Sequence, residues 1–553
     1  MRFPRFLADE EEEDALSDQP AEPEADADAT AEPAPLHWAW TLALAAAAAV
    51  PRLVYLFLLT DPENPGERRY GDVWHHWQIA YLTKEIGLGA PDGPRLWDLK
   101  GLDYFWGILH PLLMVAIFYV TGSIDIVLDR IVSIVFGLVV VILLFHICRR
   151  YWGSQVALGA ALVAITLPTS VMNDASGMLE PLGVALCLLG IWGWQQRRGF
   201  WSGLAFGLAT MARAEAWIFG AGMVIAAFFR RQGWQQRLPL VAGFGLVMIA
   251  YMKVLADKTG NPIYPLWWNF LANAVGKWEI VPISADQASV RPVLGVALLA
   301  AVGGLAWTLW KRPPSYMLLT FGFGYWVFVA GMLGFTSYLA SWVWWMPITR
   351  VFAFPYVFVG VLVAVVLLWW LPRRGTAGRR AGWVALIGSL VAAQLLWIPI
   401  WQEFSPSEAE WKIAVAESEQ LGTWYHQPGY DGHALAVPDD RPDLTYALAR
   451  FGDVEGKHLV SEMYGPFAYL PAGYVYADHE QTVNTLLECW LHQTDTHLIA
   501  VPRGDPDYTL MVQLNPGWFT YLGTLDNAGW AVEGVNAPAP PAAECRAAQA
   551  AAR

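Results

Sequence analysis

Charge is what this sequence has least of. Only 15% of its 553 residues are Asp, Glu, Lys or Arg, whereas 56% are hydrophobic and 31 are Trp. A soluble chain of this length carries far more charge, so the scarcity excludes an ordinary soluble protein and leaves a membrane one. Cysteine is scarce as well. The four present, Cys148, Cys187, Cys489 and Cys545, are too few for a disulfide scaffold and match no zinc spacing. Cys148 and Cys187 lie in apolar runs as packing residues; Cys489 and Cys545 lie in the polar C-terminal part, where a pairing depends on geometry that sequence does not supply. No segment repeats at a fixed period. The N-terminus lacks the basic start and small-residue cleavage site of a secretory signal, so it is expected to be retained.

The net charge of −14 is a local property. Residues 1–37 hold twelve acids, with Asp9 to Asp14 all acidic, against Arg2 and Arg5, so ten of the fourteen negative charges sit there. A segment of Ala, Pro, Glu and Asp cannot bury apolar area, and residues 1–37 are expected to form a disordered cytoplasmic tail. No nucleic acid is expected among the partners.

Runs of about 20 apolar residues, the length that crosses a bilayer, occur near 38–60, 130–148, 155–172, 181–196, 238–256, 292–310, 315–334, 351–371 and 382–401. Two shorter ones lie within 200–230, joined at Arg213 to Glu215, and together they predict about eleven transmembrane helices. Lys and Arg mark alternate connections: Arg149 and Arg150; Arg197 and Arg198; Arg230, Arg231 and Arg237; Lys311 and Arg312; Arg373, Arg374, Arg379 and Arg380. Such residues are retained on the cytoplasmic side, which places residues 61–129 outside as a long first loop, with 173–180, 257–290 and 335–350. An odd number of spans puts everything after Trp401 outside too. The apolar segment Phe105–Val120 contains His110 and Pro111 and would invert all later parity as a span, so it reads as re-entrant or interfacial.

After residue 401 the composition turns polar and rich in Pro and Gly, which sets a domain boundary near 402. Helical patterns near 408–421, 441–451 and 480–491 alternate with short apolar runs at His433–Val437 and His497–Val501, as in a small α/β domain. The expected architecture is therefore an all-α polytopic transmembrane domain over 38–401, an extracytoplasmic α/β domain over 402–536 and a disordered tail over 537–553.

Ionisable residues near the membrane are costly and mark candidate sites. In Gly71-Asp72-Val73-Trp74-His75-His76, a helix starting at Asp72 would put Asp72, His75 and His76 on one face, as a base with its partners or part of a metal site. An N-cap on an interfacial helix explains the same residues. Asp103 and His110 follow at helical spacing among aromatics that suit sugar stacking or a membrane interface. Asp174 and Glu180, before Pro181, suit a helix start or a second acidic arm of an active site. Arg213 and Glu215 interrupt apolar sequence, either as a phosphate clamp or as an ion pair closing two short helices. Arg350 is an outer cation against the positive-inside pattern, which suits a bound anion.

At these residues the chain resembles the C-type membrane glycosyltransferases, the superfamily of protein O-mannosyltransferases, the lipid A aminoarabinose transferase and oligosaccharyltransferase catalytic subunits. It looks most like the bacterial and archaeal branch related to mannosyltransferases. Their hallmark is an acid in the first outer loop, where Asp72 stands; Ser176-Gly-Met-Leu-Glu180-Pro181, Arg213-Ala-Glu215-Ala-Trp217 and Thr259-Gly-Asn261-Pro262-Ile-Tyr264 are similar too. Val73 stands where mannosyltransferases commonly carry a second acid. The resemblance implies an integral plasma-membrane enzyme with a polyprenyl-phosphate sugar donor, membrane lipid at its surface, and an acceptor that is a protein, lipid or glycan. It implies inversion at the anomeric carbon, with Asp72 as base, His75 or His76 orienting it, and Arg213 and Arg350 as phosphate partners. It also leaves a divalent metal open as a cofactor, with Asp72 and Glu180, and Asp174 as a third acid, as its ligands. Two other classes compete. A lipid or solute transporter would place its charges mid-membrane, whereas here they cluster at one end of the spans. A membrane-anchored sensor would need far fewer spans.

Overall fold

A computed structural model describes residues 38–65, 71–88, 96, 99, 106–229, 234–268, 291–339, 352–404, 408–438, 441–461, 480–502, 515, 517–525, 530–537 and 543–547. The expected tail at 1–37 and two candidate site residues, Asp103 and Arg350, lie outside them.

The apolar start of the chain forms α1 (Trp38–Val54), which continues as a π-helical turn through Leu59. The long connection that follows holds α2 (Asp72–Ile86) and α3 (Leu109–Thr121). Glycines in the left-handed region at Gly87 and Gly122 stop both. With 13 residues α3 is one of the shorter apolar helices, like those at Gly199–Ala212 and Ala216–Phe228. Next comes α4 (Ile126–Thr166), whose N-cap Asp125 accepts a hydrogen bond from Val127 N at 2.9 Å. It breaks at Gly153, where φ is +82°, so it is two helices in series.

The expected span at 155–172 is interrupted. Pro168 forces the residue before it out of the helical region; Leu167 is extended, and the chain restarts as α5 (Pro168–Ala175). A bend of 110° separates α5 from α6 (Glu180–Gln195). Then follow α7 (Gly199–Ala212), α8 (Ala216–Phe228), α9 (Trp234–Thr259), α10 (Arg291–Lys311), α11 (Tyr316–Leu339), α12 (Ala353–Val365) and α13 (Thr376–Phe404). Among the described residues six helical segments are long and apolar enough to cross a membrane, or seven if the bent pair α5–α6 is one span. Leu246 and Ile249 on α9, Val296 and Leu299 on α10, and Leu395 and Leu396 on α13 face outward unpaired. An apolar exterior of that kind belongs against lipid, and the chain is an integral membrane protein.

The C-terminal part holds α14 (Glu408–Tyr425), β1 (Ala434–Val437), α15 (Pro442–Arg450), β2 (Leu459–Ser461), α16 (Glu480–Gln493), β3 (Thr496–Pro502), β4 (Phe519–Thr524) and β5 (Trp530–Val535). The strand order is β2-β1-β3-β5-β4, with β2, β1 and β3 parallel and β5 antiparallel to both neighbours. Each expected helix and apolar run of this region has its element. The segment expected to be disordered from Ala537 is partly tied down: residues 543–547 are helical, and Cys545 is in a disulfide with Cys489 on α16.

The sheet module and the first loop share one core. Trp74 on α2 stacks on Trp411 with centroids 5.2 Å apart and lies 5.1 Å from Tyr446, while Trp77 meets Tyr446 edge-on at 4.8 Å. Aromatic pairs contribute about 0.5–1.5 kcal/mol each beyond the area they bury. Gly456 N donates to Tyr81 Oη at 2.8 Å. As a result α2 lies between the helical body and the sheet.

Candidate functional site

Two buried arginines build the frame. Arg130 on α4 donates Nε to Ala175 O at 2.8 Å, Nη1 to Asp61 O and Pro62 O at 2.7 and 2.9 Å, and Nη2 to Thr60 Oγ1 at 2.9 Å. It therefore laces the start of the first loop to the end of α5, with Ser133 Oγ donating to Met178 O at 2.7 Å beside it. Arg52 on α1 donates Nε to Asp174 Oδ2 at 2.8 Å, with Nη2 2.6 Å from the same oxygen. Its remaining donors reach Ala48 O at 2.8 Å and Ala164 O at 3.1 Å. A Cβ on Gly137 would overlap the Asp174 carboxylate, so the glycine leaves room for the pair.

Glu180 opens α6 and faces the turn between α7 and α8. There Arg213 is extended, donating Nη1 to Glu180 Oε1 at 2.9 Å and Nε to Glu215 Oε1 at 2.7 Å. Both readings of Arg213 and Glu215 meet at this point: the two form an ion pair closing short helices, and a second acid completes it. Two carboxylates around one guanidinium leave the group with a net negative charge. Glu180, Cys187, Arg213, Glu215, Phe219 and Tyr325 line a small space. A second small space shares Glu180, Val184 and Tyr325 with it and reaches Asp174 and Asn173. Asp174, Glu180, Arg213 and Glu215 thus line two adjoining spaces, a narrow cleft with room for little more than water.

Asp72 is not among the residues lining those two spaces. It begins α2, as expected, and lies close enough to His75 to act on it electrostatically. His75 is packed under Trp106 at 5.6 Å, and burial pushes its pKa down to about 4, against the opposing pull of Asp72 and Asp443. The imidazole is therefore neutral at physiological pH. An unfolded His titrates near 6.5, so between that value and about 4 the unfolded chain binds more protons, and His75 makes stability fall as pH drops through this window. The thermal midpoint of wild type is expected to fall more steeply from neutral pH to pH of about 4 than that of His75→Gln; parallel curves would refute this.

His76 and His110 are fully buried, with ring centroids 5.9 Å apart. His110 was paired in sequence with Asp103; in the structure its Nε2 lies 3.0 Å from Asp129 Oδ1 on α4, itself fully buried. Three links join this cluster to the cleft. Trp106 touches His75 and His76, at 5.6 and 5.0 Å. The next residue, Gly107, abuts α7: a Cβ there would stand 2.6 Å from Met211 O and 2.7 Å from Ala212 O, immediately before Arg213. On the other side a Cβ on Gly177 would stand 2.9 Å from Val73 Cγ1, three residues before Glu180. Sequence reasoning passed over Arg52, Asp129, Arg130 and Tyr325, although charges in or beside apolar runs are a signal.

Residues 107–256 match the family model described as dolichyl-phosphate-mannose-protein mannosyltransferase. No curated protein matches the chain in sequence. Among solved structures, the archaeal oligosaccharyltransferase AglB from Archaeoglobus fulgidus, in complex with an inhibitory peptide and a dolichol-phosphate, is 12% identical. The match covers 90% of this chain and 74% of that one, with a TM-score of 0.50. ArnT from Cupriavidus metallidurans in the apo state is 14% identical over 91% and 99% of the two chains, at 0.49. ArnT bound to undecaprenyl phosphate is 14% identical over 92% and 100%, at 0.45. The likeness to C-type membrane glycosyltransferases read from the sequence is thus found again: residues 107–256, from Gly107 into α9, match one of their family models, and AglB shares the fold.

Proposed function

We propose that this chain is a membrane glycosyltransferase that moves a sugar from a polyprenyl-phosphate donor to an acceptor on the extracytoplasmic face, inverting the anomeric carbon. The family model supports the reaction class, and the dolichol-phosphate in the AglB structure supports the donor class. The observation that carries the reading is the contact path from the start of α2 to the cleft: Val73 packs against Gly177, and Trp106-Gly107 links His75 and His76 to the Arg213 turn.

In this reading Asp72 takes the acceptor proton and neutral His75 positions it, while His76 and His110 carry the loop wall. Arg213, with Arg350, receives the departing phosphate, and a bound phosphate displaces one of the two carboxylates now holding the Arg213 fork. Asp103 and Asp174 are assigned to substrate binding. A divalent metal does not fit the acids of the cleft, because Glu180 faces Arg213 and Asp174 faces Arg52; no step is routed through one.

Counting the two parts of α4 about Gly153, α6 with α5 as its entry, and the short α7 and α8 gives eleven crossings. The N-terminus is then cytoplasmic, and the region 402–536 is an extracytoplasmic domain. The Cys489–Cys545 disulfide fits that oxidising side.

Purified protein in liposomes, given radiolabelled polyprenyl-phosphate sugars one at a time, is expected to release polyprenyl phosphate and label an acceptor with at least one donor. Movement of labelled lipid between leaflets with no cleaved donor would favour the transporter instead.

A further inference from the structure

The sheet module carries a second constellation, well separated in sequence from the cleft residues. β1 and β3 pair in parallel, with Ala434 opposite Thr496 but Leu435 opposite Leu498. His497 is therefore the extra residue of a bulge, a feature that re-aims a side chain. Two residues earlier Asp495 has φ of +55°, a conformation that few residues other than glycine adopt and that Asp tolerates better than most. Its carbonyl accepts from Ala434 N at 2.9 Å, which fixes that conformation against the start of β1. His433, just before β1, faces the pair. Two backbone irregularities thus bring three potential ligands together at neighbouring strand ends.

His433 Nδ1 lies 2.8 Å from Asp495 Oδ2, and His497 Nε2 lies 3.4 Å from Asp495 Oδ1. The imidazole rings are parallel within 1°, with centroids 3.7 Å apart. One ligand atom from each of the three residues lies within 4.8 Å of the others. His497 Nδ1 sits 3.0 Å from Gly429 O. A carbonyl only accepts, so Nδ1 carries the hydrogen, and Nε2, which faces Asp495, is the nitrogen left for a metal. Metal-ligating histidines are oriented by a bond of this kind.

We propose that His433, Asp495 and His497 form a divalent transition-metal site, with zinc the best fit. Two imidazoles and a carboxylate suit zinc and its neighbours rather than calcium or magnesium, which prefer oxygen alone. Tetrahedral zinc with bonds of about 2.0–2.1 Å sets its ligand atoms roughly 3.3 Å apart. The Asp495–His497 separation already meets that spacing, the His433–Asp495 contact reaches it by opening roughly half an ångström, and one imidazole must turn out of the parallel stack so that both rings aim a nitrogen at the ion. Three protein ligands leave the fourth position to water, which is accessible because the side chains are 37%, 63% and 38% exposed in chain order. The metal would clamp the start of β1 to the start of β3.

The test uses full-length protein in detergent, free of any histidine tag and stripped with chelator. Cobalt(II) is titrated while its visible ligand-field absorption is followed, and zinc binding is measured by equilibrium dialysis. Wild type is expected to give intense tetrahedral bands displaced by zinc. His433→Gln and His497→Gln should each weaken binding at least ~10-fold, with Asp495→Asn between them and wild type. Glu180→Gln should bind as wild type does. Asp495 is exposed and both histidines are half-exposed, so folding is expected to survive, and a matching gel-filtration profile checks it. Unchanged binding in the double variant His433→Gln/His497→Gln, signal lost only with Glu180→Gln, or no cobalt uptake by wild type would each overturn the site.

Discussion

Replacing Arg52 by Met is expected to destabilise the protein by about 3–5 kcal/mol, the usual cost of removing one partner of a buried ion pair. The guanidinium is wholly buried and Asp174 is nearly so. Without Arg52 the Asp174 carboxylate loses both of its close cation contacts, which come from that side chain. The converse change is milder. Asp174→Asn keeps an acceptor for Arg52, whose other donors still reach Ala48 O and Ala164 O. Joining both changes, Arg52→Met with Asp174→Asn, should recover part of the loss, because the pair's desolvation cost goes with its attraction. Thermal midpoints of the detergent-solubilised variants, read by loss of the monodisperse peak, give the order: wild type highest, then Asp174→Asn and the double variant, with Arg52→Met lowest. If Arg52→Met matched wild type, the pair would not be a structural keystone of the cleft.

That arginine shows what the sequence could and could not express. Hydropathy located the helices because each must present about 20 apolar residues to lipid, and alternation of helical and apolar runs located α14, α15, α16, β1 and β3. The start of α2 at Asp72 was legible from its residue types. Arg52 was hidden inside an expected span, since only tertiary structure shows that Asp174, 122 residues away, is its partner. The same holds for His110, whose partner among the described residues, Asp129, stands on the next helix. Arg213 was open as a phosphate clamp or a pair with Glu215; its second acid, Glu180, lies across the α5–α6 bend, and no spacing rule brings it to the α7–α8 turn. Gly153 falls between the expected spans at 130–148 and 155–172, where the helix does break, but Pro168 lies inside the second run, whose apolar content hides the backbone restriction that interrupts it. The ligands at residues 433, 495 and 497 converge through a register shift that hydropathy does not record.

Asp72→Asn is expected to lower kcat with a polyprenyl-phosphate donor by roughly 10²–10⁴-fold, the range for removing a general base, or about 3–5.5 kcal/mol of barrier. Asn keeps the size and a hydrogen-bond acceptor but cannot take the acceptor's proton, so donor KM should change little. His75→Gln makes the useful contrast. Because burial holds His75 neutral, its part is to fix Asp72, and its loss should cost less than the loss of Asp72 itself. Arg213→Met acts on the other half of the reaction: it removes the phosphate partner and leaves Glu180 and Glu215 facing each other, so both donor KM and kcat should worsen. The three variants therefore differ in which constant moves, and a general loss of folding would move all of them alike. Full turnover by Asp72→Asn would transfer the base to another group, with Glu180, on the cleft wall, the next residue to replace.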